Sequence, residues 1–472
     1  MKPSHMLTAL LLATALAAPA DAAAKRKPVT TKSAAKATAK PAALAPLPDT
    51  PEIAELRRAF DFAFPIYEVM RTRDAVLAKA RGFGLPNAVN MLFPRKALAD
   101  DTSRDVTTPN NDTLYATGFL DLAGGPVLLT IPALPGRYHS AALISLTTDN
   151  AAILGTRTGG NGGQFLIAGP GWTGTPPAGA ELVRSPTNDA WLLVRVLVNG
   201  ADDLAAASSA VAGFTLAPAA GNADAIPTTT AAPMTPDART FLAVVNEALA
   251  RSAANGALAA KAQGFAALGI GSAWETLSPD TQALWTRYLA SLRGELKGGL
   301  ASSGDVVDGW SYPGAAIGDF GDNDRLRALV ALGGLAALPR IEAMYLSART
   351  DRDGAALTGA KAYRVRIPGR MPIGGFWSLS LYQVEPDGRL FFVPNDLKRF
   401  AVGDRSKHLR SERDGSFEVF VQAAKPGGER VVNWLPAPKG AFALVFRAYL
   451  PRAEFLDGSF RLPPVVADAV IP

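Results

Sequence analysis

Asn110, Asn111, Asp112 and Tyr115 place two carboxamides, a carboxylate and a phenol within one short stretch. Facing a ligand, such a cluster supports acid–base chemistry. In that reading Asp112 is the general base and Tyr138 the proton donor, while Arg137 or Arg157 holds an anionic or carbonyl group. Asn110, Asn111 and Tyr115 would touch the ligand, joined from the other end of the chain by Asn395, Asp404 and Arg405. Tyr115, Tyr138, Trp377, Tyr382 and Trp434 offer flat apolar faces with polar tips, which suit a sugar or another flat organic molecule. The same residues have a plainer reading. Pro109 fixes its own φ and biases Thr108 towards an extended conformation, and Asn110, Asn111 and Asp112 can bond their own backbone as a turn. Trp377 and Trp434 stand in strand-like runs, where large aromatics are usually core. Asp404-Arg405 reads equally as a local ion pair.

Several chemistries are poorly supplied. There is no cysteine, so disulfides, thiolate metal sites and a cysteine nucleophile are excluded. Beyond the first residues only His139 and His408 remain; His139 lies in a strand pattern and His408 beside Lys407 and Arg410, so both read as structural or surface groups. Neither a Gly-x-Ser-x-Gly elbow nor a metal or cofactor motif is present, although an all-oxygen cation site from Asp112, Asn111 or Asp149 is left open. The glycine-rich stretch 155–163 lacks the Lys-Ser/Thr of a phosphate loop and reads as a long hairpin connection. Nor is nucleic acid indicated. Residues 1–50 hold seven basic and two acidic side chains, which accounts for five of the net +6 and leaves a near-neutral body.

The elements that must position these groups follow from periodicity. A chain of 472 residues suggests two or three domains; 48% hydrophobic and 19% charged residues suffice for buried cores. Lys2, an apolar run over 6–18 and Ala20-Asp21-Ala22 have the anatomy of an export signal cleaved after Ala22, which makes the mature protein periplasmic or secreted. The run is too short to span a bilayer comfortably. Residues 23–51, rich in Ala, Lys, Pro and Thr, read as a flexible basic linker. Ile53, Leu56, Phe60, Phe64 and Tyr67 keep helical spacing across Pro65, which predicts a kinked helix or two short pieces. Apolar runs at 126–131, 138–147 and 190–198 predict strands. Helical periodicity governs 236–300, where Ser278-Pro279 supplies a cap, and returns over 324–338; strands follow at 362–367, 376–384, 417–421 and 442–450. The expected plan is multidomain α+β: an N-terminal all-β domain with a leading helix over 52–232, a mainly helical segment over 233–345, and a C-terminal sandwich over 346–472.

Particular motifs resemble a known bacterial family. Thr108-Pro109-Asn110-Asn111-Asp112-Thr113-Leu114-Tyr115, Gly136-Arg137-Tyr138, Gly155-Thr156-Arg157-Thr158 and Gly169-Pro170-Gly171-Trp172 resemble the domain of unknown function 1254. Phe376-Trp377-Ser378-Leu379, Val393-Pro394-Asn395, Gly403-Asp404-Arg405 and Asn433-Trp434-Leu435-Pro436-Ala437-Pro438 resemble domain 1214, its usual C-terminal companion. The resemblance implies a β-domain, a helical insert and a jelly-roll-like C-terminal β-sandwich, and leaves the activity unassigned. Two functions follow as expectations. One is an exported enzyme, a hydrolase being the first choice, acting on a small organic or glycan-like ligand in a cleft near the N-terminal β-domain. The other is a non-catalytic envelope protein that binds such a ligand or assembles, for instance as a homo-oligomer, through its sandwich faces.

Overall fold

A computed structural model gives the protein's structure over residues 44–85, 88–104, 106–219, 227–299, 304–386, 388–407 and 409–468. The expected export signal, most of the basic linker and His408 lie outside the described residues.

The fold is mixed α+β. A five-stranded antiparallel sheet runs in the order Phe93–Pro94, Thr113–Asp121, Asp189–Leu197, His139–Ser145, Asn150–Gly155. A four-stranded sheet, ordered Ala180–Arg184, Gly163–Ala168, Val127–Ile131, Thr215–Pro218, packs against it through a cluster that includes Leu114, Leu129, Leu143, Phe165 and Val194. The second pair repeats the scheme. A seven-stranded sheet centred on Ala343–Ala348, Phe442–Tyr449 and Trp377–Val384 packs on the four-stranded sheet Trp434–Pro436, Phe417–Gln422, Ala362–Ile367, Val465–Asp468. Trp377 lies in that second core, stacked on Phe446 with ring centroids 5.4 Å apart.

Helices fill the space between the two pairs. Pro51–Gly82 starts at a Thr50 cap, whose hydroxyl accepts from Ile53 N at 3.3 Å, and continues as one helix through Pro65. The expected break is absent. Pro65 forfeits a backbone hydrogen bond, but the helix is buried on nearly all sides from Ala59 to Met70, so packing holds it together. Its neighbours are Ala238–Arg251, Pro279–Gly299 and Asp324–Gly333. One cluster joins them to Phe119, Ile144 and Trp191 of the five-stranded sheet and to Ala343, Phe376 and Tyr449 of the seven-stranded sheet. The halves are therefore not separate bodies; Ala45–Pro472 form one compact unit. The seven-stranded sheet also takes Gly304–Val307 and Trp310–Pro313 from the segment expected to be helical.

The glycine-rich stretch is not a hairpin. It links Asn150–Gly155 in one sheet to Gly163–Ala168 in the other through a single turn at Thr156–Thr158. Gly155 has φ +128°, and a side chain there would meet the His139 carbonyl at 2.5 Å, so glycine serves close passage beside the neighbouring strand as the chain leaves the sheet. Among the described residues no helix is long and apolar enough to cross a membrane.

Candidate functional site

The two central strands carry the same anomaly. Asp189–Leu197 and Phe442–Tyr449 are buried along their whole length, as strands covered on both faces must be. Each run of apolar residues is interrupted by one arginine, Arg195 in the first and Arg447 in the second. Arg195 lies between Tyr115 and Ser140 in register, on the face that looks towards the other half. Arg447 lies between Tyr345 and Ser378 on the corresponding face of its own sheet. Where these faces meet is the seam of the molecule.

Residues 107–112 cross that seam, and their partners come chiefly from the C-terminal half. Thr108 N–H donates to Leu390 O at 2.8 Å, and Leu390 N–H donates to Thr107 Oγ1 at 3.0 Å. Thr108 is not extended as Pro109 led one to expect; its φ is +55°. Such a backbone costs roughly 1–3 kcal/mol and is held by these bonds and by Arg447 Nη2, which donates to Thr108 O at 3.1 Å. Tyr382 Oη donates to Pro109 O at 2.6 Å, and Asn110 Nδ2 to Tyr449 Oη at 2.8 Å. Asp112 takes part in the expected turn and also in a contact that the turn reading did not include. Its N–H closes an Asx turn on Asn110 Oδ1 at 2.7 Å, yet its carboxylate faces the C-terminal half. Ser378 Oγ donates to one oxygen at 2.5 Å and Arg405 Nη2 to the other at 2.7 Å. Arg405 is held further by Asp404 Oδ1 at 2.8 Å and by the Phe376 ring, 4.3 Å beneath its guanidinium.

The remaining candidates are spread over five places. Tyr138 and Arg157 meet on Glu342, which is fully buried: Tyr138 Oη donates to Oε1 and Arg157 Nε to Oε2, both at 2.6 Å. Burial, and then the Glu342 charge, push the Tyr138 phenol well above its ordinary range. Arg137 turns away to a bidentate pair with Asp203, 2.6 Å on each arm, and to Leu197 O. Asn395 organises its own loop through Val393 O, Arg399 O and Arg399 N–H. Asn111 donates to Ala99 O at 2.5 Å and also borders a groove of about 270 Å³ with Lys398, Phe400 and Lys407. Trp377 and Asp404 line a second groove, about 260 Å³, with Pro368, Met371 and Phe417. Burial raises the Asp404 carboxyl above its usual range, against the lowering effect of Arg405.

Arg195, Tyr345, Tyr449, Glu342 and Arg447 were not among the expected site residues. Arg195 is 5% exposed and makes one hydrogen bond, from Nη2 to Ala336 O at 3.2 Å; Nε and Nη1 have no hydrogen-bond partner. Around it stand Tyr115, Tyr345, Tyr449 and Tyr138, with the Tyr115 ring centroid 5.6 Å from its guanidinium carbon. Desolvation disfavours its charge, but these phenols favour it more, and its pKa is raised. A buried ion without a counter-charge costs several kcal/mol, roughly 3–5 kcal/mol where a partner has been removed from a buried pair. Tyr345 and Tyr115 keep part of their surface accessible although both face the interior. A lone charge inside an apolar strand run was the signal that could have found Arg195 and Arg447.

Two family models match the chain. Residues 89–218 match the model described as "Protein of unknown function (DUF1254)" and residues 342–453 the one described as "Protein of unknown function (DUF1214)". The chain belongs to the family that pairs these two domains, the first N-terminal and the second C-terminal. Among solved structures it is similar to the VPA0106 protein from Vibrio parahaemolyticus, at 24% identity and a TM-score of 0.67, over 88% of this chain and 99% of that one. That likeness is one of fold. An uncharacterised protein from Burkholderia cenocepacia matches at 15% identity and a TM-score of 0.44, over 89% of this chain and 91% of that one. No curated protein matches.

Proposed function

We propose that the chain is an exported protein that binds a small organic molecule at the seam between its two sheet pairs, in a chamber walled by Tyr115, Tyr345 and Tyr449 around Arg195. The observation that carries this reading is the partial accessibility of Tyr115 and Tyr345 on inward-looking faces, beside a buried guanidinium with open donors. Phenols at such a place present apolar walls and hydrogen-bonding tips, the usual make-up of a ligand site. Residues 107–112 then act as the latch that brings the two arginine-bearing sheets together, and Asp112 serves the latch. The export signal read at residues 1–22 puts the ligand outside the cytoplasm. The reading treats 52–232, 233–345 and 346–472 as its working parts, the last a jelly-roll-like sandwich. A thermal-shift panel of sugars, lipids and aromatic compounds tests it on the full chain. A stabilising hit abolished by Tyr345→Ala and retained by Asp404→Ala is expected; silence across the panel defeats the reading.

A hydrolytic function is favoured by a different observation. Asp404, with its raised carboxyl pKa, borders the 260 Å³ groove beside Trp377, as a general acid next to a sugar-binding aromatic would. Under this reading glycan hydrolysis by the purified protein disappears in Asp404→Asn and survives Tyr345→Ala. Hydrolysis undiminished in Asp404→Asn rejects it.

A further inference from the structure

We infer that Arg195 is the anchor of an anion site and that its ligand is a small organic carboxylate. This deepens the seam reading above and rests on it. The chain supplies its own comparison. Its other fully buried arginines are provided for: Arg73 has Asp74 and Asp189 within 4.0 Å, and Arg327 is paired with Asp149. Arg447 has no carboxylate at ion-pair distance among the described contacts but donates to Ser380, Tyr382, Thr108 O and Pro109 O. Arg195 alone among these four has two nitrogens without a partner and neither a carboxylate nor a second carbonyl. A guanidinium has five donors in a planar fork that matches a carboxylate at two points. One Nη2 hydrogen is spent on Ala336 O; Nε and Nη1 remain on opposite edges of the guanidinium, and one of them with the second Nη2 hydrogen makes the two-point fork.

The tyrosines supply the rest. Asn110 donates to Tyr449 Oη, which leaves the Tyr449 hydroxyl hydrogen to be given onward, and Tyr345 stands edge-on beside it with ring centroids 6.4 Å apart. Tyr345 in turn has its own hydroxyl hydrogen to offer. Burial raises the Tyr345 and Tyr449 phenols above their ordinary range, so these two are donors and not competing anions. Donors that converge on a cation with no carboxylate at ion-pair distance, the nearby Glu342 being taken up by Tyr138 and Arg157, select an anion. Aromatic walls, including the Tyr115 face already set against Arg195, select one with an apolar or flat body over a hydrated inorganic ion.

The test uses the full chain, with benzoate as probe, benzyl alcohol as its neutral counterpart, and acetate and inorganic phosphate as anion controls, read by thermal shift and calorimetric titration. Benzoate is expected to stabilise the protein and to bind at least tenfold more tightly than benzyl alcohol or phosphate. Arg195→Met should melt no lower than the wild-type chain without ligand, because it deletes an unpaired buried charge, and should lose benzoate binding. Tyr345→Phe should fold normally and weaken benzoate about tenfold, the loss of one hydrogen bond to a charged group. Equal shifts with benzoate and benzyl alcohol overturn the carboxylate assignment while the seam chamber stands. Phosphate binding as well as benzoate also overturns it. No shift with any compound removes the chamber as well. Benzoate binding undiminished in Arg195→Met, or a marked fall in that variant's ligand-free melting temperature, rejects Arg195 as the anchor.

Discussion

Asp112 and Arg405 stand 293 positions apart in sequence and 2.7 Å apart in space, and their ion pair fastens the signature segment of the first domain to that of the second. The carboxylate is 5% exposed, so the pair is insulated from solvent screening far better than a surface bridge. Removing one member strands the other. Asp112→Ala is expected to cost about 3–5 kcal/mol in denaturant unfolding, and Ser378→Ala about 1 kcal/mol. A double-mutant cycle with Arg405→Met should return a coupling above roughly 1 kcal/mol. Additive losses would show that the latch carries no joint energy.

Glu342 poses the same problem one step away. It is wholly buried, with Tyr138 on one oxygen and Arg157 on the other. Arg157→Met should therefore destabilise the fold by roughly 2–4 kcal/mol at neutral pH. Adding Glu342→Gln should recover part of that loss. Failure of the second change to recover anything would mean that Arg157 contributes packing and not charge.

Asp61, on the buried face of the long helix, gives a pH signature. Desolvation, only partly opposed by Arg325 at 3.0 Å, raises its carboxyl from 3.8 to about 6. The folded state thus holds this proton more tightly than the unfolded chain. The contribution is complete below about pH 4 and is lost as pH climbs through about 6. At 1.36 kcal/mol for each pH unit of displacement the difference reaches roughly 3 kcal/mol. Asp61→Asn should gain on the wild-type chain between pH 4 and 7 by an amount of that order. A stability difference flat across the range would contradict the assignment.

Tyr449 touches both systems, accepting from Asn110 while its ring stacks on Phe376 with centroids 4.0 Å apart. Tyr449→Phe keeps the stack and deletes the acceptor. Unfolding should show a loss of about 1–2 kcal/mol. No measurable loss would mean that Asn110 finds another acceptor without cost.

Local chemistry made much of this architecture readable. The helix Ala238–Arg251 presents Phe241, Val244, Val245 and Ala248 to the core as its spacing demands, and Ser278 Oγ accepts from Thr281 N–H at 3.1 Å, as the cap at Ser278-Pro279 required. The strands His139–Ser145, Trp377–Val384 and Phe442–Tyr449 coincide with apolar runs. Pro65 misled because tertiary packing around the helix outweighs one missing hydrogen bond. Thr108 misled for a related reason: Leu390 and Arg447, both far along the chain, fix its backbone. The Asn110–Asp112 corner was visible as a concentration of polar groups, but whether it met a ligand, its own amides or another domain depended on Ser378 and Arg405. No local pattern could supply those partners. Arg195 was visible in a different way. A single arginine amid Leu192, Leu193, Val194, Val196 and Leu197 contradicts the run around it, and such contradictions between local pattern and burial are where function tends to sit.

The account turns on what Arg195 Nε does when a carboxylate is offered. Side-chain nitrogen NMR of the full chain, with the Arg195 signal assigned by its disappearance in Arg195→Met, reads that atom directly. Titration with benzoate should move the Nε–H resonance and slow its exchange with water, in step with saturation. A resonance that stays in place while benzoate is bound would put the ligand elsewhere and leave the buried guanidinium without the role assigned to it.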